Sequence, residues 1–456
     1  MKDNQVTVNT TKMMKQNERT SSSNCEVKLE TLNRVLIKPS KPTPPNLQTF
    51  KLSLLDQLSP NFHGNTTFFY PNYNNINHSS HFLEKSKLLQ NSLSQTLTLF
   101  YPLAGNLQDA ATINCNDGGV FFIESQTNTT LSEILTNPDF DTFECFLPST
   151  DEKQILNLLL IRFTLFDCGS TAITVSLTHK IADFNTLITF LKTWTAVCGG
   201  DTKILPDLTT AVNLFPPREF PAISASVKTS NKKITSRRFI FEASKIEELK
   251  TRVKRTVEFN PTRVEVVLAL IWKCALSTTA TKTTSFFKHS ILLQAVNLRT
   301  RMEPTIPENA VGNLIWPFSV TVEDECHVAI DEMVKRMRKG MREFIESKVE
   351  RFKEEGWFEF VMESLKERVK INEGSLVIYR SSSWCNFPLL ENDFGWGKPV
   401  WSCSVNKVVS NTIALMDTKD GCGVEAFVTL DEDHMEFFQQ DQELLNYAML
   451  NPRIII

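Results

Sequence analysis

The chain has 456 residues, with 49 Lys+Arg against 52 Asp+Glu and a formal charge of −3, which lacks the basic excess of a protein that works by neutralising phosphates, so no nucleic-acid partner is expected. Its 41% apolar and 22% charged residues exclude a disordered or fibrous chain, and the length implies two or three domains' worth of core. The 32 Phe against 5 Tyr point to an interior that is greasy rather than hydrogen-bonded through phenols.

Residues 1–25 are polar and Ser/Thr/Asn-rich, and read as a disordered extension. They carry no apolar signal core, and no run elsewhere approaches the roughly 20 apolar residues of a membrane span. A cytoplasmic protein with no membrane partner is expected. From Ile37 to Pro45 the chain is a proline-stiffened, extended lead-in. Leu83, Leu88, Leu89, Leu93, Leu97 and Phe100 recur at helical spacing and predict a helix over about Phe82–Leu99. Strands are expected near Gly119–Glu124 and Asn157–Phe166. Thr171–Thr178, TAITVSLT, alternates strictly and predicts a half-buried strand. Asn185–Val197 follows as a helix.

Between Gly199 and Lys232 the pattern dissolves into Gly, Pro, Ser and Thr, the signature of a crossover between domains. Beyond it, strand-like 237–242 precedes a helix at Ala243–Thr256 and an apolar helix at Thr262–Ser277 that reads as buried all round. Strands at Ser290–Leu298 and Asn313–Val322, a long charged helix over about His327–Glu355, strands near Trp401–Asn406, Thr412–Asp417 and Gly423–Leu430, and a helix at Asp431–Tyr447 complete the chain. Strands and helices alternate irregularly, which fits two α/β layered domains of comparable size. The expected division is 1–25 extension, 26–205 first domain, 206–232 crossover and 233–456 second domain, with part of 393–412 a candidate to join the first domain's sheet.

None of the ten cysteines forms a C-x-x-C pair and no His/Cys quartet has zinc spacing, so buried free thiols and no metal are expected. The strings that mark P-loop enzymes, dinucleotide oxidoreductases, α/β-hydrolases and zincins are absent. Six of the seven histidines, His63, His78, His81, His289, His327 and His434, sit in polar contexts that suit solvent. His179 differs. It ends the alternating strand just before a turn and a helix, in Thr178-His179-Lys180-Ile181-Ala182-Asp183, where a sheet can hold the backbone while the side chain reaches a cleft. An imidazole there suits a general base. The spacing alone is equally that of a loop His followed by a helix-capping Asp183.

Asp393-Phe394-Gly395-Trp396-Gly397-Lys398-Pro399 is a sharper signal, a tight turn pinned by aromatic rings. His179-x-x-x-Asp183 and Asp393-Phe-Gly-Trp-Gly397, in that order, resemble the two signature motifs of the BAHD acyl-CoA-dependent acyltransferases of plants. Pro39–Pro44, Tyr101–Gly105, Gln294–Arg301 and Gly423–Ala426 are similar to further family landmarks, so the resemblance spans nearly all of 27–450. The wording of the His179 and Arg299 segments looks most like the branch that acetylates alkaloid and terpenoid alcohols.

The resemblance implies two chloramphenicol-acetyltransferase-like α/β domains, each a mixed sheet with flanking helices, around a central channel. It implies acyl-CoA, acetyl-CoA by preference, as a co-substrate rather than a bound cofactor, a small-molecule alcohol as acceptor, and a monomer. His179 becomes the general base, Asp183 a partner of Arg299 that holds the His loop, and Asp393 a structural residue often grouped with the catalytic histidine. Gly395, Trp396 and Gly397 shape the second motif, with Trp396 a candidate wall of the thioester pocket. Three departures stand out: Phe184 where Gly is frequent, Asn106 where Arg is common, and Asn386 where a basic residue is frequent. They leave open a non-catalytic paralogue that binds ligand, and an N-acyl or longer-acyl transferase.

Overall fold

The computed structural model describes residues 27–73, 78–148, 157–220, 232–282, 289–324, 328–373, 376–405 and 409–456. The expected extension 1–25, part of the crossover and His327 lie outside them. Two large sheets organise the rest. The first has six strands in the spatial order Leu29–Ile37, Val120–Thr127, Leu159–Leu165, Thr171–Thr178, His63–Tyr70 and Trp401–Cys403. The last comes from late in the chain and pairs antiparallel with His63–Tyr70, Trp401 opposite Phe69. The second has seven, ordered Ile315–Val322, Ser290–Asn297, Val377–Ser383, Thr412–Asp417, Val424–Asp431, Ile234–Phe241 and Met449–Leu450. Ser290–Asn297, Val377–Ser383 and Thr412–Asp417 run parallel to one another.

Thr171–Thr178 is buried at every position rather than half-buried. It lies inside the first sheet, between Leu159–Leu165 and His63–Tyr70, so its polar positions are covered too, and the Thr174 hydroxyl bonds sideways to that of Thr67 at 2.9 Å. The following helix is Phe184–Cys198, with Trp194 fully buried. The apolar helix of the second half runs Arg263–Lys282, and from Val266 to Ala275 only Lys273 escapes full burial.

Three elements depart from the sequence reading. The charged helix is regular only over Ile330–Glu343 and then loosens into a π turn, Phe344–Val349, and a 3₁₀ turn, Glu350–Lys353. The last helix divides into Glu432–Phe438 and Gln442–Leu445, because the Asp441 side chain accepts the Leu444 N–H at 2.9 Å and starts a new helix there. The strand at Trp401 stops at Cys403. Sequence periodicity also missed the strands His63–Tyr70 and Val377–Ser383 and the helix Trp357–Glu373. Among the described residues, no helix is long and apolar enough to cross a membrane.

The phenylalanine excess goes where composition placed it. Phe69 packs against Phe143, Phe146, Phe166 and the stacked ring of Trp401. Of the thiols, Cys115, Cys274, Cys385 and Cys403 are buried and free, Cys168 and Cys198 are half-buried, and Cys422 is exposed. Cys145 is disulfide-bonded, against the expectation of free thiols.

Candidate active site

A cavity of about 290 Å³ lies between the two sheets. His179, Thr66 and Leu177 line it from the first sheet's side, and Ala295, Ser381 and Ile413 from the second. His179 is the first residue past the buried strand, and its N–H donates to the Phe62 carbonyl at 2.8 Å. The ring packs edge-on against Phe62, centroids 5.4 Å apart. Its Nδ1 lies 2.8 Å from Asn313 Oδ1, which leaves Nε2 as the nitrogen available to the cavity.

Asn313 is nearly fully buried, and its Nδ2 donates both to the His179 carbonyl and to Asp56 Oδ1, each at 2.8 Å. Asp56 also accepts the Asn313 N–H at 2.7 Å, the Ser53 N–H at 3.0 Å and the Ser53 hydroxyl at 2.6 Å. Ser53 and Asp56 form the capping box of the short helix Leu54–Leu58. Burial pushes the Asp56 carboxyl up from its ordinary range, while these hydrogen bonds pull it down. Neither Asp56 nor Asn313 was singled out from sequence.

Asp183 does not hydrogen-bond to His179. Its oxygens take Arg299 Nη1 at 2.6 Å and Nη2 at 3.2 Å, the Thr186 N–H at 2.8 Å and the Leu314 N–H at 3.1 Å. Asp183 is thus the N-cap of the helix Phe184–Cys198 and half of an ion pair whose side chains are 1% and 2% exposed. Arg299 also donates to the carbonyls of Ala310 and Gly312. One guanidinium therefore ties the loop carrying His179 to the loop carrying Asn313. A pair this buried is stable only when every polar atom is satisfied, and this one is well satisfied.

The second motif lies elsewhere. Asp393 is exposed, and its Oδ1 accepts the N–H groups of Gly395 at 2.8 Å and Gly397 at 2.9 Å. Both glycines have left-handed backbone, φ +103° and +105°, which side chains resist. Phe394 is buried edge-on against Trp194 at 4.8 Å. Trp396 packs against Tyr70 and Phe394, with Lys85 Nζ 5.1 Å from its ring centre. No residue of 393–397 lines this cavity; the turn packs its rings against Trp194 and Tyr70 and leads into the strand Trp401–Cys403.

Of the three departures, Phe184 alone reaches the cavity, stacked on Trp384 at 4.2 Å and edge-on to Phe387 at 5.3 Å. Asn386, at φ +70°, bonds to Asp417 and Arg263, and Asn106 bonds to Asn116. His63 and His434 are not solvent histidines. His63 Nε2 meets the Asn157 carbonyl at 2.7 Å, with burial lowering its basicity, and His434 Nε2 meets the Ala275 carbonyl at 2.9 Å. Among the described residues, no three acidic, His or Cys side chains converge as metal ligands.

Two sheets thus enclose a cavity edged by a strand-end histidine. Residues 27–445 match the family model described as the transferase family. Akuammiline synthase 1 of Alstonia scholaris is 35% identical over 427 residues, covering 92% of this chain and 98% of that protein. Limonoid 1-O-acetyltransferase of Citrus sinensis is 35% identical over 450 residues, covering 94% and 100%. The crystal structure of vinorine synthase superposes with a TM-score of 0.79 at 32% identity, over 92% of this chain and 98% of that one. The chain belongs to this family, the BAHD acyltransferases, and is an acyl-CoA-dependent acyltransferase.

Proposed function

We propose that the protein transfers an acetyl group from acetyl-CoA to a hydroxyl of a bulky, apolar plant specialised metabolite, an alkaloid or terpenoid alcohol, with His179 as general base. The observation that carries this is the place of His179 on the cavity, with Nδ1 engaged by Asn313 and Nε2 left for a ligand. In a ternary complex Nε2 takes the acceptor's hydroxyl proton as that oxygen attacks the thioester carbonyl. The new C–O bond forms, the C–S bond breaks, and the imidazolium returns its proton to the departing thiolate of CoA. No acyl-enzyme is required.

Asp183 cannot serve as a second base, because its oxygens are committed to Arg299 and two backbone N–H groups. In this reading Asp183 and Arg299 hold the two loops in register, and Asp393, Gly395, Trp396 and Gly397 are scaffold. The domains 26–205 and 233–456 close on the cavity, joined by the crossover 206–232. In this reading the protein acts as a monomer in the cytoplasm. The cavity's aromatic and aliphatic walls suit an apolar acceptor, and one relative is named as an O-acetyltransferase of limonoids.

The test is purified protein supplied with acetyl-CoA and a panel of alkaloid and terpenoid alcohols. Free thiol should appear together with a product heavier by one acetyl group, and His179→Ala should abolish both. Equal thiol release by wild type and His179→Ala sinks the reading.

A further inference from the structure

We propose that Asp56 is a positioning residue for the base, acting through Asn313 as a carboxylate–amide–imidazole relay that selects the Nδ1–H tautomer of His179 and stabilises the imidazolium formed during transfer. The inference rests on the His179 reading for its kinetic consequence, but not for its tautomeric one.

The tautomer follows from hydrogen-bond bookkeeping. The side-chain atom of Asn313 that faces the His179 carbonyl, at 2.8 Å, must be the amide nitrogen, since a carbonyl only accepts. The same atom meets Asp56 Oδ1, also at 2.8 Å. That oxygen is fixed as an acceptor by the Asn313 backbone N–H at 2.7 Å, a donor that cannot flip. Two acceptors therefore set the amide orientation independently of any choice between look-alike oxygen and nitrogen. The other amide atom is then oxygen, it faces His179 Nδ1 at 2.8 Å, and Nδ1 must carry the hydrogen. The lone pair is on Nε2, where a base needs it.

The second effect is electrostatic. Asp56 is 2% exposed, so its charge is poorly screened. It draws on the amide N–H, which enriches the amide oxygen facing the ring and stabilises positive charge as it develops there during transfer. The other charges about Asp56 do not cancel this arrangement. Lys180 is attracted to Asp56 but directs Nζ to the Gln57 carbonyl at 2.9 Å, and Arg299 is committed to Asp183 across Gly312. The loop is shaped for the contact. Gly312 has φ +134°, and a Cβ there would lie 2.9 Å from Ala211 Cβ and 3.4 Å from Asp56 Oδ2. A larger residue there would collide with Ala211 and adopt a strained backbone next to Asn313.

Histidine-selective ¹⁵N labelling, with the His179 signals assigned by their loss in His179→Ala, reads the tautomer without any substrate. Wild type should show Nδ1–H, and Asn313→Ala should lose that preference together with about 10²- to 10³-fold in kcat. Asp56→Asn should keep the tautomer, since its amide oxygen can still accept from Asn313, yet lower kcat about 10- to 100-fold and move the acid limb of the pH–rate profile to lower pH, with KM for acyl-CoA little changed. A purely structural Asp56 would not move that limb. An Nε2–H tautomer in wild type overturns the relay even if neither variant folds, and so does full turnover by both variants. A Nδ1–H tautomer that Asn313→Ala abolishes, in a protein that turns over no acyl-CoA, upholds the relay and overturns the acyltransfer reading instead.

Discussion

The two signature segments of this chain solve opposite problems. His179–Asp183 runs from a buried strand into a helix and puts one polarisable ring on the cavity. Asp393–Gly397 is a surface turn whose Asp side chain satisfies two glycine N–H groups and whose aromatic rings point inward, away from the cavity. The second string is much the less probable by chance, yet it is the first that meets the ligand space. A long specific string reflects how many atoms a backbone conformation constrains: two left-handed glycines, a carboxylate of one length and two packed rings admit few substitutes. A base needs one imidazole, and its supports come from distant parts of the chain.

The largest effect that would sharpen this contrast is on turnover at the first segment. His179→Ala should lower kcat by about 10³-fold or more with the melting temperature preserved, as read by thiol release and differential scanning calorimetry. Breaking the support beneath it should act on stability. Arg299→Met leaves Asp183 buried without its partner, and should cost about 3–5 kcal/mol in urea unfolding. An unchanged midpoint would mean that the two loops are held by something else.

Smaller effects lie on either side of the comparison. Phe184→Gly removes a ring stacked at 4.2 Å on Trp384 and opens the cavity. Discrimination between acceptors of different girth should then change by about 1–3 kcal/mol in kcat/KM while acetyl-CoA saturation stays put. At the second segment, Gly395→Ala forces a Cβ onto φ +103° with open space around it. The cost should be confined to backbone strain of about 1–2 kcal/mol, measured as a lowered melting temperature without loss of kcat at temperatures where the protein is folded.

How much of this was legible beforehand follows the range of the interactions. Thr171–Thr178 and Phe184–Cys198 were visible because alternation and the 3.6 period are local signals, and the strand-end position of His179 came with them. His63–Tyr70 escaped because HGNTTFFY opens on His, Gly, Asn and Thr and closes on consecutive aromatics, so that no period-2 pattern appears although the strand pairs with Thr171–Thr178 along its whole length. The charged helix was read too long because charge pattern does not register a π turn. Asp56 and Asn313 were invisible for a different reason. Asn313 lies 134 positions from His179 and 257 from Asp56, and Ser53-x-x-Asp56 in isolation is only a helix cap. The chemistry of the site is set by contacts that exist after folding and have no local period.

The most direct test compares His179→Ala with Asp393→Ala in the same assay, below the melting temperature of both, with matched acetyl-CoA and acceptor. If the cavity histidine performs the chemistry and the turn is scaffold, His179→Ala should lose about 10³-fold or more in kcat, while folded Asp393→Ala stays within about tenfold of wild type. If folded Asp393→Ala loses as much kcat as His179→Ala, the division of labour between the two segments is wrong.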